Sequence, residues 1–362
     1  METLTGRERI ANIIQHQPVD RIGVFEHFWD DTPGNWREAG HIGANESMED
    51  HFDLDMALFW SFNFVADLDF EPELLSETDT TYVQRDGNGA VLRWHKVNQT
   101  TPEHVDYLVR DRQSWETYAK PRLTTDPRRI DFEGYRMARR QAAEADRFFC
   151  WSGVNVFELM HPVVGHENLL IGMALDPDWI GDMVAVYSQV TIELQEMLFA
   201  QEGYPDGIWY YEDMGFKQHP FFSPHMYRSM IQPGHIRTID WAHGKGLPVI
   251  MHSCGYIAPL LPDMIEAGVD CLQVIEVKAG MDLLELHRAF GQRLSLMGGM
   301  DVRVLYTNDE DVIAEELKSK IPVVKEGFGY VLHSDHSIPV DVSYDSYRYF
   351  LDRGKELGSY EA

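Results

Sequence analysis

The stretch Pro248-Val249-Ile250-Met251-His252-Ser253-Cys254-Gly255 decides how the rest of the chain is read. A proline followed by a short apolar run reads as a buried strand. The run ends in a histidine, a cysteine two positions on, and a glycine. In extended chain, residues two apart point to the same side, so His252 and Cys254 face one point in space. Imidazole and thiolate together bind zinc. Gly255 lets the backbone turn at once. The competing reading is a buried histidine and a core cysteine at a strand end, and two residues alone leave both open.

Working outward, the same unit recurs: a short apolar strand with a polar end, then a helix. Strands are expected at 22–27, 56–62, 148–154, 207–211, 248–252, 269–275, 294–297 and 330–333. Helices are expected at 4–15, with a Thr5/Glu8 capping box, and at 133–145, 177–200, 223–244, 257–268, 281–290, 309–320 (ended by Pro322) and 343–357. The 177–200 helix starts at Asp176-Pro177 and carries Ile180, Met183, Val184, Tyr187, Val190, Leu194 and Met197 on one face. Strand–helix alternation implies a parallel sheet with right-handed crossovers. Eight such units predict an α/β fold, a single (β/α)8 barrel of TIM type. A doubly wound open sheet is the alternative, but no Gly-x-Gly-x-x-Gly follows a strand. Residues 64–130 break the rhythm. They hold a hairpin, 81–85 with 90–96 around Asp86-Gly87-Asn88-Gly89, and too few apolar residues for a core of their own. The expected organisation is thus one domain over 1–362, with an N-terminal helix and an inserted hairpin segment at about 64–130 that covers the barrel mouth.

Composition fits this frame. The chain has 362 residues, 44% of them hydrophobic, enough for one large barrel core. No apolar run reaches membrane-spanning length, and Met1-Glu2-Thr3-Leu4-Thr5 lacks a basic-then-apolar signal pattern. Three cysteines, Cys150, Cys254 and Cys271, at no disulfide-like spacing point to a reducing, cytoplasmic setting. A net charge of −28 argues against nucleic acid and membrane as partners. Cys150 and Cys271 read as core residues, and the run Trp209-Tyr210-Tyr211 suits packing.

In such barrels the active site lies at the C-terminal strand ends. Polar residues gather there: Glu26, His27, Asn155, Glu212, Asp213, His252, Cys254, Glu276, Asp301 and the cluster His333-Ser334-Asp335-His336. Strand ends near solvent are polar anyway, but a strand serving only the core needs none of these. His336 is the chosen third metal ligand beside His252 and Cys254, because three protein ligands and an open position make a catalytic zinc site. His333 and Asp335 compete for that place, and Asp335 could instead orient a histidine. Glu212, Asp213 and Glu276 are the candidate catalytic carboxylates. His27, Asn155, Tyr211, His333 and Asp335 are expected to bind substrate.

These residues also resemble a family. Thr5-Gly6-Arg7-Glu8-Arg9, Pro18-Val19-Asp20-Arg21, Phe222-Ser223-Pro224-His225-Met226-Tyr227, His252-Ser253-Cys254-Gly255 and Met297-Gly298-Gly299-Met300-Asp301 resemble motifs of the uroporphyrinogen decarboxylase superfamily. The resemblance covers nearly the whole chain, and His-x-Cys-Gly is its most specific part. It implies one of two activities. The decarboxylases need no metal and bind substrate carboxylates through paired arginines after the first strand. Here that region, His27 to Arg37, lacks the pair. The zinc-dependent corrinoid methyltransferases carry His-x-Cys after strand five and a cysteine after strand eight. His252 and Cys254 match, while Ser334-Asp335-His336-Ser337-Ile338-Pro339 offers His336 for the last.

The favoured expectation is therefore a Zn2+-dependent methyltransferase. It moves a methyl group between a small methylated substrate and a corrinoid (cobalamin) on a partner protein, since no Asp-x-His-x-x-Gly signature is present. Phenyl methyl ethers, methanol and methylamine-like compounds are the substrate class, with O-demethylation preferred because a site with fewer thiolates leaves zinc more positive. A homodimer is left open. The alternatives are a metal-free decarboxylase using an aspartate such as Asp67, and a non-enzymatic corrinoid or tetrapyrrole carrier.

Overall fold

The apolar runs become eight parallel strands, most of them buried because both faces are covered, with Met56–Trp60 only partly covered and its Trp60 exposed. They are β1 (Gly23–Val24), β2 (Met56–Trp60), β3 (Phe148–Val154), β4 (Gly207–Tyr211), β5 (Val249–Ser253), β6 (Cys271–Val274), β7 (Ser295–Gly298) and β8 (Tyr330–Leu332). The computed structural model describes residues 3–97 and 102–360. Met1, Glu2 and residues 98–101 of the expected insertion lie outside the described residues. The strands pair in the order β1-β8-β7-β6-β5-β4-β3-β2. The Asp55 N–H donates to the Val24 carbonyl at 2.9 Å and brings β2 back to β1, so the sheet curls into a (β/α)8 barrel.

The N-terminal helix Gly6–Ile14 has the expected capping box between Thr5 and Glu8. Its Ile10, Ile13 and Ile14 pack with Phe25, Met56, Phe148, Cys150, Trp209, Ile250, Cys271, Met297 and Val331 inside the barrel. The helix thereby plugs the N-terminal end and leaves the other end for a site. Outside, the long helix Pro177–Glu202 buries Ile180, Met183, Val184, Tyr187, Val190 and Leu194, with Met197 only partly covered.

Three local expectations are corrected. The helix Glu310–Val324 runs through Pro322. The proline loses only its own N–H bond, and the next turn still closes, Lys325 N–H to Ile321 O at 3.1 Å. The expected 223–244 helix is broken by a wide turn, Tyr227–Ile231, ahead of Gln232–His243; Pro233 just inside the second piece cannot donate back, and a wide turn absorbs that. The insertion is more than a hairpin: Thr81–Arg85 and Ala90–His95 form the middle of a four-stranded antiparallel sheet, flanked by Glu73–Glu77 and Glu103–Tyr107. Tyr107 lies against Gly165, where an added Cβ would stand 2.4 Å from the ring, so the sheet leans on the segment after β3.

Candidate metal centre

Strand alternation places His252 and Cys254 on one side of the β5 tip. The tip is then stitched to its neighbour. Glu212 N–H donates to the His252 carbonyl at 2.9 Å, Met214 N–H to Ser253 Oγ at 3.0 Å, and Cys254 N–H to Asp213 Oδ1 at 2.8 Å. Gly215 and Gly255 allow this approach: a Cβ on Gly255, whose φ is +78°, would sit 2.4 Å from the Gly215 carbonyl carbon. The result brings three donors together. His252 Nε2 lies 3.4 Å from Cys254 Sγ and 3.3 Å from Asp213 Oδ1. The ligand atoms of Asp213, His252 and Cys254 all lie within 4.8 Å of one another, and among the described residues no other trio of such donors converges.

The electrostatics match the geometry. Burial works against a charge on His252, but Cys254 and Asp213 beside it hold its pKa well above the ordinary imidazole value. Burial likewise opposes ionisation of Asp213, and the His252 ring overcomes it, holding the carboxyl below its usual range. The other ring nitrogen, His252 Nδ1, is hydrogen-bonded to Gln273 Oε1, the kind of outer contact that orients a metal-binding histidine. An imidazole, a thiolate and a carboxylate, converging and oriented in this way, fit zinc.

The trio opens into a cavity of about 310 Å³. His27, Tyr211, His333 and His336, all expected at the site, line it, with Trp29 and Gln273, which sequence reasoning missed. For Gln273 the sequence offers only an amide in an apolar strand; its register opposite His252 comes from the β5–β6 ladder. Burial lowers the His27 pKa well below the ordinary value, helped by His333 and His252, and lowers His333 to about 3. Burial also keeps Tyr211 above its ordinary value. His336, expected as the third ligand, lines the cavity but is not among the three donors that converge. Its ring lies against Trp29, 5.6 Å between centroids, while Asp213 is held in place by the Cys254 N–H. Among the described residues, none that line the cavity comes from 64–130.

The remaining expected residues stand outside the cavity, as anchors of the loops that shape it. Glu212, fully buried, accepts from Phe157 N–H at 2.8 Å and Glu158 N–H at 3.1 Å and pairs with His235 at 2.7 Å. Asn155 caps the helix Val156–Val164. Glu276 accepts from Gly255 N–H at 2.7 Å. Asp335 accepts from Val277 N–H at 2.9 Å and Val302 N–H at 2.7 Å. Asp301 caps the turn Val302–Leu305. A cavity of about 370 Å³ at the opposite end of the barrel is lined by Arg7, Arg136, Arg139 and Arg140. Each of those guanidiniums is already engaged by a carboxylate or carbonyl.

A family model described as uroporphyrinogen decarboxylase (URO-D) matches residues 150–357, more than half of the chain. The chain belongs to the URO-D family. Among curated proteins, this URO-D-family chain is similar to the uroporphyrinogen decarboxylase of Pseudomonas fluorescens, 31% identical over 133 residues, covering 37% of this chain and 35% of the relative. It is also similar to the uroporphyrinogen decarboxylase of a Picosynechococcus species, 26% identical over 141 residues, covering 38% of each. The matches thus span little more than a third of the length of these curated relatives. Among solved structures it superimposes on a methyltransferase from Methanosarcina mazei with a TM-score of 0.70 at 15% identity, over 98% of this chain and 99% of that one. At that identity the likeness is one of fold.

Proposed function

We propose that this URO-D-family protein is a zinc-dependent methyltransferase that moves a methyl group between a small methylated substrate and a corrinoid protein. The observation that carries this reading is the convergence of Asp213, His252 and Cys254 on one point of the barrel-mouth cavity. These three residues would hold the metal, with Asp213 in the place first expected for His336. Bound there, zinc supplies Lewis-acid stabilisation of the atom that loses the methyl group. The substrate class is an O-methyl compound such as a phenyl methyl ether, or a methanol- or methylamine-like molecule. Trp29 and Tyr211 give the cavity apolar faces against which a small methylated group packs, and His27 and His333, kept neutral by burial, add no competing positive charge. The corrinoid comes on a separate protein, in the cytoplasm.

The names of the curated relatives favour a second reading, a metal-free decarboxylase. The cavity speaks against it. Neither arginine nor lysine lines it among the described residues, so a polycarboxylate substrate has no cation to meet. Arg37, the lone arginine of the region after β1, donates to the Glu46 carbonyl at 2.9 Å. Asp67, the aspartate considered for that chemistry, pairs with Arg122 at 3.0 Å.

The deciding experiment measures zinc content of the wild type, His252→Ala and Cys254→Ala, then methyl transfer from O-methyl substrates to a corrinoid protein. Near-stoichiometric zinc in the wild type, lost in both variants together with methyl transfer, supports the proposal. Wild-type protein that takes up no zinc when supplied with it, or that decarboxylates a tetrapyrrole without metal, overturns it.

A further inference from the structure

The polar groups beneath the cavity form a hydrogen-bond line whose direction is fixed at one end. The Ser334 main-chain carbonyl can only accept, and His333 Nδ1 lies 2.5 Å from it. His333 Nδ1 therefore carries the ring proton. Fully buried, the ring is neutral, so its Nε2 is an acceptor. Two groups face that acceptor, His27 Nδ1 at 2.9 Å and Gln273 Nε2 at 3.2 Å. Both must donate.

This orients the Gln273 amide. Its NH2 faces His333, so its Oε1 faces His252 Nδ1. An amide oxygen only accepts, hence His252 Nδ1 keeps a proton whatever the charge of the ring, and Nε2 is the nitrogen whose proton a metal displaces to take the lone pair. Nε2 is the atom that faces Cys254 and Asp213. The other branch closes the same way: His27 Nδ1 donates, so His27 Nε2 accepts from the Tyr211 hydroxyl at 3.1 Å. The direction does not depend on the charge of Glu26, whose Oε1 also lies 3.2 Å from His333 Nδ1, because the Ser334 carbonyl alone demands the proton.

With Tyr211 at the end of β4, the line joins residues from five barrel strands. His27 follows β1, Gln273 lies on β6, His252 on β5, and His333 follows β8. Gln273 is the link that reaches the metal donors, and the β5–β6 ladder sets it directly opposite His252.

We propose that Gln273 is a positioning residue: it passes the donor–acceptor direction set by the Ser334 carbonyl through His333 to His252, and so presents the His252 Nε2 lone pair to the metal. The inference rests on the zinc reading above. Without Gln273 nothing fixes the proton of the neutral ring on Nδ1, so it can stay on Nε2, toward Asp213, and metal binding must work against that tautomer.

The test uses the full chain as wild type, Gln273→Met and Gln273→Glu. Methionine has nearly the shape of glutamine but no acceptor. Glutamate keeps an oxygen for His252 Nδ1–H. Zinc affinity is read by competition with a chromophoric chelator, and the visible spectrum of the cobalt(II)-substituted protein reports the donor set. Gln273→Met is expected to weaken zinc roughly 10–100-fold and to alter the cobalt spectrum, while Gln273→Glu recovers affinity and spectrum toward the wild type. In metal-free wild type labelled with 15N in its histidine rings, NMR should show His27 and His333 neutral and protonated on Nδ1. Gln273→Met with wild-type affinity and spectrum, or equal loss in both variants, overturns this role for Gln273 and leaves the zinc reading standing. His333 protonated on Nε2 overturns the direction of the line. Wild-type protein that binds no zinc overturns the zinc reading and this role together.

Discussion

Arg9 of the N-terminal helix and Asp55 just ahead of β2 form a buried ion pair of 2.6 Å, their side chains 4% and 3% exposed. The pair sits at the one seam of the barrel where adjacent strands share no ladder. Asp55 is what spans that seam: its N–H donates to the Val24 carbonyl and its Oδ2 accepts from Val24 N–H at 2.7 Å. Arg21 holds the same carboxylate at 2.8 Å. The Thr5–Arg9 and Pro18–Arg21 motifs, which carry the family resemblance at the N-terminus, thus do a structural job. They fix the residue that closes the barrel.

Removing Arg9 leaves Asp55 buried with half of its compensation. Breaking a buried pair by deleting one partner costs about 3–5 kcal/mol, and Arg21 keeps the cost near the lower end. Arg9→Met should therefore lower unfolding stability by about 3 kcal/mol, read from urea denaturation with an unchanged m-value. A loss well under about 1 kcal/mol, as at an exposed pair, would contradict the role of Asp55 at the seam.

The metal site separates Asp213 from His336. Asp213 lies 3.3 Å from His252 Nε2, whereas His336 packs on Trp29. Asp213→Ala should weaken zinc by more than about tenfold, or 1.4 kcal/mol, and His336→Ala should leave affinity within about threefold of the wild type. Chelator competition on the two variants decides it. The reverse pattern would return His336 to the ligand set.

The cysteines differ in the same physical terms. Cys150 and Cys271 are fully buried in the barrel interior, and burial pushes both thiols above their ordinary range. Cys254 is half-buried at the cavity. An aromatic disulfide reagent should modify a single thiol in the native protein, that of Cys254, and zinc should slow the reaction, because a thiolate held by metal is a poorer nucleophile. Comparable labelling of Cys150 or Cys271 before unfolding would count against the packed interior described above.

Much of this was legible in the sequence because buried parallel strands are written as short continuous apolar runs. Phe148–Val154 and Gly207–Tyr211 begin and end where the runs do. The outer strands of the inserted sheet were not legible. Every residue of Glu73–Glu77 is exposed, so no burial pattern is imposed on it. At the site, the strand ends named the right neighbourhood but not always the right member. Tyr211 and Asp213 face the cavity, and Glu212 between them turns to the Val156–Val164 helix and His235. The two-residue pleat separates adjacent carboxylates in this way, once the register of β4 is known. Gln273 escaped because a single amide in an apolar strand carries no chemistry until its neighbours on β5 and β8 are seen.

Glu26 gives the protein a pH signature of its own. Its carboxylate accepts from Ser334 N–H, Ser334 Oγ–H and His27 N–H, each at 3.0 Å. Burial outweighs these donors and pushes its pKa up from 4.5 to about 8. The native state therefore holds a proton that the unfolded chain has already released between those two values. Stability follows the difference in bound protons, so this contribution is complete below about pH 4.5, declines as pH rises, and is gone above about pH 8. The loss is on the order of a few kcal/mol. The net charge of −28 also makes the whole molecule self-repelling as pH rises, so the wild-type curve alone does not isolate Glu26. Glu26→Gln does, because both proteins share every other titrating group. Urea unfolding of the pair at pH 5, 6, 7, 8 and 9 should show the wild type losing stability relative to the variant up to about pH 8, with a constant gap beyond. Parallel curves across that whole range would show that the three donors keep Glu26 ionised in the folded protein.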